Sequence, residues 1–110
     1  MEDLLENIEE FLDSGDENIK KGRFNAAVSD YFKVIVISCD FLIYRDMKIL
    51  PKNHNERFYL LRIYFKDIYT KVNQLFETYT RSYNLRLNEA EAIRLKEYAH
   101  ELKKSIADKK

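Results

Sequence analysis

Two histidines, one cysteine and several cations set beside aromatic side chains are the groups in this chain that could take part in chemistry. Arg81, followed by Tyr83 and Arg86, offers a permanent cation whose planar fork can hold a phosphate or a carboxylate, with a phenol alongside for stacking and a second cation close by. The same arginine has a structural use, closing the last carbonyls of a helix. Arg62, Lys66, Tyr69 and Asn73 recur at three- and four-residue intervals and share one helical stripe. Such a stripe suits phosphate contacts with an aromatic for base stacking, or a solvated face whose long stems cover the tyrosine. His54 stands just ahead of a helix start, where it can bond the backbone or touch a phosphate held at that N-terminus. No paired Cys or His spacing and no glycine-rich loop occurs, so neither a metal nor a cofactor is expected. Cys39 lies inside an apolar run and reads as a buried small hydrophobe.

The elements that must position these groups are helical. One proline and two glycines in 110 residues are too few turn residues for a sandwich or barrel. Leu4, Ile8, Leu12, Gly15 and Ile19 form the stripe of a first helix. Ser14-Gly15 could break it, with Ser14 and Glu17 as a capping box for a second helix, and the residues leave both forms open. Asn25 is a candidate N-cap for a long helix from about Ala26 to Leu50, ended by Pro51. Asn55 is the candidate cap of a third, whose stripe Phe58, Leu61, Phe65, Ile68, Val72, Leu75 and Tyr79 predicts one helix to about Ser82. Asn88 and Glu91 form a capping box ahead of Ala92, Leu95, Ala99, Leu102 and Ile106, the face of a last helix that frays over 108–110. The expected fold is all-α, an up-and-down antiparallel bundle of four to five helices, with residues 1–110 as one domain.

Charge is unevenly laid out. Residues 1–17 hold eight acidic and no basic side chains, leaving nineteen basic and eleven acidic in the body, although the whole chain is neutral. A basic body can attract phosphate or can be merely solvated. Acidic residues over Met1–Asp13, where a secretory leader would need basic and then apolar ones, make the cytoplasm the expected compartment, and no membrane partner is expected. The runs Val34-Ile35-Val36-Ile37 and Phe41-Leu42-Ile43-Tyr44 make the long helix apolar nearly all round. Four helices can cover only part of it, so a homodimer through Val34, Ile37, Phe41 and Tyr44 is expected, with Leu4, Ile8 and Leu12 of the acidic helix as the competing cover.

Gly22-Arg23-Phe24-Asn25-Ala26-Ala27 followed by Tyr31-Phe32 resembles the turn of a tetratricopeptide repeat. Such repeats stack at a period of about 34 residues and no second copy follows here, which leaves a tetratricopeptide-like protein interaction module as one alternative. In fixed order after that turn come Leu50-Pro51-Lys52-Asn53-His54, Thr80-Arg81-Ser82-Tyr83 and Asn88-Glu89-Ala90-Glu91-Ala92. Together, over residues 18–106, these resemble a HEPN domain. The resemblance implies a helical bundle, frequently dimeric, often encoded beside a minimal nucleotidyltransferase and associated with nucleotides or RNA. Members that cleave RNA carry an arginine, four to six residues and then a histidine at the start of the closing helical segment. From Arg81 that window falls on Arg86, Leu87 and Asn88, so the histidine is absent. Arg94 and His100 have the spacing but lie mid-helix, about 120° apart around the axis. The expectation is a non-catalytic module binding a nucleotide or RNA, or an accessory subunit of a small nucleotidyltransferase in a toxin-antitoxin-like pair. A metal-independent ribonuclease using Arg94 and His100 is the enzymatic alternative.

Overall fold

Five helices account for most of the chain in the computed structural model, which describes residues 1–108. They are α1 (Glu2–Lys20), α2 (Phe24–Met47), α3 (His54–Tyr64), α4 (Lys66–Arg81) and α5 (Glu89–Asp108). The four long helices α1, α2, α4 and α5 run alternately up and down, and α3 is laid on α2 and α4. Of the tail expected to fray, Asp108 still belongs to α5, and Lys109 and Lys110 lie outside the described residues. Among the described residues no helix is long and apolar enough to cross a membrane.

The first helix is continuous through Ser14-Gly15, and the reason is tertiary. A side chain at position 15 would meet the Tyr31 ring of α2 at 2.6 Å, so glycine is what lets the two helices touch. Ser14 caps nothing; its hydroxyl donates to Asp30 of α2 at 2.7 Å. Gly22, at φ +69°, makes the turn between them. The cover of α2 follows from this long α1. Val34, Ile35 and Ile43 are fully buried, Phe41 and Leu42 nearly so, and Ile37 and Tyr44 half-buried. Ile8 and Leu12 belong to the same core, as do Leu61, Leu75, Leu95 and Leu102. Val34 and Phe41 are therefore core residues of a single chain and offer no free face, Ile37 and Tyr44 stay half-buried, and α1 supplies cover to α2 through Ile8 and Leu12.

Three boundaries differ from expectation. α2 ends at Met47, four residues before Pro51, where Lys48 takes the left-handed conformation at φ 59° and bonds back to Tyr44. Asn53, not Asn55, caps α3, its side chain accepting the Glu56 amide at 2.9 Å. The third predicted helix is two: Phe65, at φ −138° and ψ 61°, ends α3 and starts α4. Neither proline nor glycine marks this break. Its apolar stripe continues across, since Phe58, Phe65, Ile68 and Tyr79 all pack on the core. The expected capping box at α5 forms in full, Glu91 N–H to Asn88 at 2.9 Å and Asn88 N–H to Glu91 at 3.1 Å.

Candidate functional site

α3 is short, so its attachment decides what it can present. Arg57 reaches Asp40 of α2 with both arms of its fork, Nε to Oδ1 at 2.6 Å and Nη2 to Oδ2 at 2.8 Å. Both side chains are close to nine-tenths buried, a setting where a matched pair holds geometry more than it adds stability. The remaining arm donates to His54 Nδ1 at 2.8 Å. Burial of the imidazole and the neighbouring Arg57 charge hold its pKa below the ordinary histidine range, so His54 is a neutral acceptor clasped to α3. Phe58 sets its edge on Phe76 of α4, with centroids 5.4 Å apart, and Leu60 and Leu61 fill the core beneath.

Pinned in this way, α3 and α4 enclose an open cleft of about 220 Å³ lined by Asn55, Phe58, Tyr59, Arg62 and Tyr69. It joins two members of the predicted stripe, Arg62 and Tyr69, to Tyr59 and Asn55, which no spacing had singled out. The Arg62 guanidinium stands 5.9 Å from the centre of the Tyr59 ring. No carboxylate lines the cleft. Its volume is that of a single ring system, and its groups are a π-face, an amide and a cation. Lys66, the first residue of α4, is exposed at the adjoining elbow. Behind the cleft an aromatic ladder climbs α4, from His54 through Phe76 and Tyr79 to Tyr83, with neighbouring centroids 6.1, 6.2 and 5.5 Å apart.

At the top of that ladder Arg81 is not available as a free cation. Its Nη2 binds Glu91 at 2.7 Å and its Nε binds Glu77 at 2.9 Å, so it ties the end of α4 to the start of α5. The Glu91 carboxyl is held below its usual range, first by the Asn88 amide and then by Arg81. Tyr83 is three-quarters exposed, and its hydroxyl meets that of Tyr79 at 2.7 Å, a bond that with burial raises the Tyr79 phenol to about 12. Arg86 is exposed on the same loop. What shapes this loop is Asn25, the second residue of α2: its amide donates to the carbonyls of Ser82 at 2.8 Å and Leu85 at 2.7 Å and accepts the Leu87 N–H at 2.9 Å. The predicted helix cap is thus a loop clamp, and Arg23 stands at the cap position with no side-chain bond.

The histidine of the enzymatic alternative is engaged elsewhere. His100 Nε2 lies 3.3 Å from Asp16 of α1, which also accepts the Tyr31 hydroxyl at 2.5 Å. Burial works to raise the Asp16 pKa, but the bonds from Tyr31 and His100 outweigh it and hold the carboxyl below its usual value. Arg94 is exposed on α5 and takes no part in this cluster. Cys39 is fully buried, which pushes its thiol up to about 12 and leaves it inert as a nucleophile.

Asn25, Asp16, Asp40 and Arg57 are the polar residues that sequence reasoning passed over or misplaced. Their partners lie 15 to 84 residues away, beyond any local pattern, except that Arg57 follows His54 by three. Comparisons with family models, with curated proteins and with solved structures each return no match.

Proposed function

We propose that this chain is a non-catalytic, HEPN-like binding module that holds a nucleotide or single-stranded RNA on the α3–α4 face. One observation carries the reading: Tyr59 and the Arg62 guanidinium sit side by side at the mouth of a cleft of one-ring size that no carboxylate lines. A base entering the cleft stacks on tyrosine, its edge meets the Asn55 amide, and the attached phosphate lies toward Arg62 and Lys66. Each base stacked on an aromatic platform contributes about 1–3 kcal/mol and tolerates any sequence, because every base has a π-face. The surrounding charge favours the same ligand, since residues 48–71 hold six basic and two acidic side chains and one of the six, Arg57, is neutralised by Asp40. Phosphate binding at such a surface weakens steeply with salt, whereas docking of an uncharged peptide does not.

Fluorescence anisotropy with a labelled oligouridine, and competition by ATP, tests the proposal. Tyr59→Ala is expected to weaken binding about tenfold with the salt slope kept. Arg62→Ala should reduce that slope by about one. Absence of binding at low salt, or binding untouched by both substitutions in folded protein, refutes it.

A further inference from the structure

The neutral net charge of the chain conceals a segregation across the fold. α1 packs on α2 and α5, while α3 packs on α2 and α4, so the acidic and basic segments lie against different parts of the bundle. On the acidic side Glu2, Glu6, Glu10, Asp13 and Glu17 repeat at three- and four-residue spacing, a pattern of like charges that weakens its own helix. Glu17 meets Lys21 and Glu9 meets Lys103, but Glu2, Glu6, Glu10 and Asp13 have no cation partner among the described residues.

Beside them the antiparallel ends of α1 and α5 leave a groove of about 290 Å³. Leu5, Ile8, Ile106 and Ala107 supply its apolar lining, and its rim holds the Glu9–Lys103 pair and the unpaired carboxylate of Glu6. It needs a partner that is apolar at the centre and basic at the edge. α3, which packs on α2 and α4, carries such an element. Tyr59, Ile63 and Tyr64 of α3 are 55 %, 40 % and 59 % exposed, and Arg62 and Lys66 flank them. Tyr59, Arg62 and Ile63, at i, i+3 and i+4, share one helical face.

We infer that the α1–α5 groove receives α3 of a second copy of this chain, with Ile63 and Tyr59 in the groove and Arg62 against Glu6. The two surfaces differ, so the contact is head-to-tail: each copy that fills one groove offers another, and association continues into a ring or an open filament. Zero net charge removes the long-range repulsion that would oppose it. The nucleic-acid reading is not a premise here. The two share α3, so a ligand held by Tyr59 and Arg62 competes with the second copy.

Sedimentation velocity without nucleic acid tests the contact on the full chain. At low salt the average mass should climb above 13.3 kDa as concentration rises from about 10 to 300 µM, a range suited to a small interface. High salt should weaken association about tenfold, because the paired charges lie at the rim. Arg62→Glu and Glu6→Lys, both at exposed positions, should each give a monomer at 13.3 kDa. Mixed together they should associate beyond a dimer, since the groove of Arg62→Glu takes the native α3 of the other variant and the groove of Glu6→Lys takes the altered α3 with the charges exchanged. The double variant should associate again with the charges exchanged. A wild type that stays monomeric overturns the inference. So does association that survives either single variant, or a mixture of the two variants that fails to combine or that stops at a dimer, the second being the behaviour of a two-fold contact.

Discussion

Replacing Gly15 by alanine sets local helix preference against tertiary packing, and the two predict opposite signs. Gly15 lies inside a 19-residue helix, where Gly→Ala ordinarily stabilises by about 1 kcal/mol. Here the new Cβ would stand 2.6 Å from Tyr31 Cε1 and 2.9 Å from Cδ1 and Cζ. Carbon atoms pack best at about 3.5–4.0 Å, so the ring or the helix must give way by about 1 Å. Tyr31 has no exposed surface, and its hydroxyl is tied to Asp16 at 2.5 Å. Overpacking of a filled core costs about 1–3 kcal/mol, and losing a hydrogen bond to a charged group about 1.5–3. Against the 1 kcal/mol gained, the net loss is about 1.5–5 kcal/mol, a large share of the ~5–15 available to a small domain. Urea denaturation followed by circular dichroism measures it, with an unchanged slope showing that both proteins unfold from the same compact state. Tyr31→Leu should relieve the clash, so the double variant should lie above the sum of the two single losses. A Gly15→Ala protein as stable as wild type, or more so, would refute the reading of glycine as the reason α1 and α2 meet.

Three further outcomes follow from the polar contacts. Asn25→Ala removes three hydrogen bonds to the 82–87 loop and should cost about 2 kcal/mol, each net bond contributing about 1 and the alanine returning some helix preference; urea titration reads it, and a loss under about 0.5 would show that the loop holds itself. Arg57→Met leaves the Asp40 carboxylate buried and unpaired, so a loss of about 3–5 kcal/mol is expected in the same assay, with a smaller loss for Asp40→Asn/Arg57→Met because no buried charge remains. The Asp16 carboxyl titrates lower in the folded chain than in the unfolded one, so its stabilisation is complete above the ordinary carboxylate pKa and disappears as pH falls through the folded value; Asp16→Asn should flatten the acid limb of a stability profile, and an unchanged limb would remove Asp16 from acid unfolding.

The helices were legible in the sequence wherever periodicity and capping coincided. Asn88 and Glu91 announced α5 because a capping box is a local device, complete within four residues. The Phe65 break was illegible for the converse reason: the apolar stripe that defines a helix runs through it unbroken, and only the backbone angles record the bend. The cover of α2 depended on whether Ser14-Gly15 stops α1, and a glycine reads identically whether it breaks a helix or admits a neighbouring tyrosine. Within the candidate site, Arg62 and Tyr69 could be placed together from their spacing on one stripe. Tyr59 and Asn55 could not, because they face the cleft from α3, a helix whose separation from α4 the spacing conceals. Arg81 had the chemistry of a ligand-binding cation, but Glu77 and Glu91 take up its fork, and Glu91 had been assigned only to its cap.

The bond between Asn25 and the Leu87 amide gives the molecule a built-in clock. Most amides here lie in helices and can exchange with solvent deuterium when a single turn frays. The Leu87 N–H belongs to no helix and is sheltered by a side chain 62 positions earlier in the chain. It becomes accessible when the first turn of α2 and the segment entering α5 move apart, which requires the top of the bundle to open. Its rate of deuterium uptake therefore measures separation of the two halves of the chain, in one resonance.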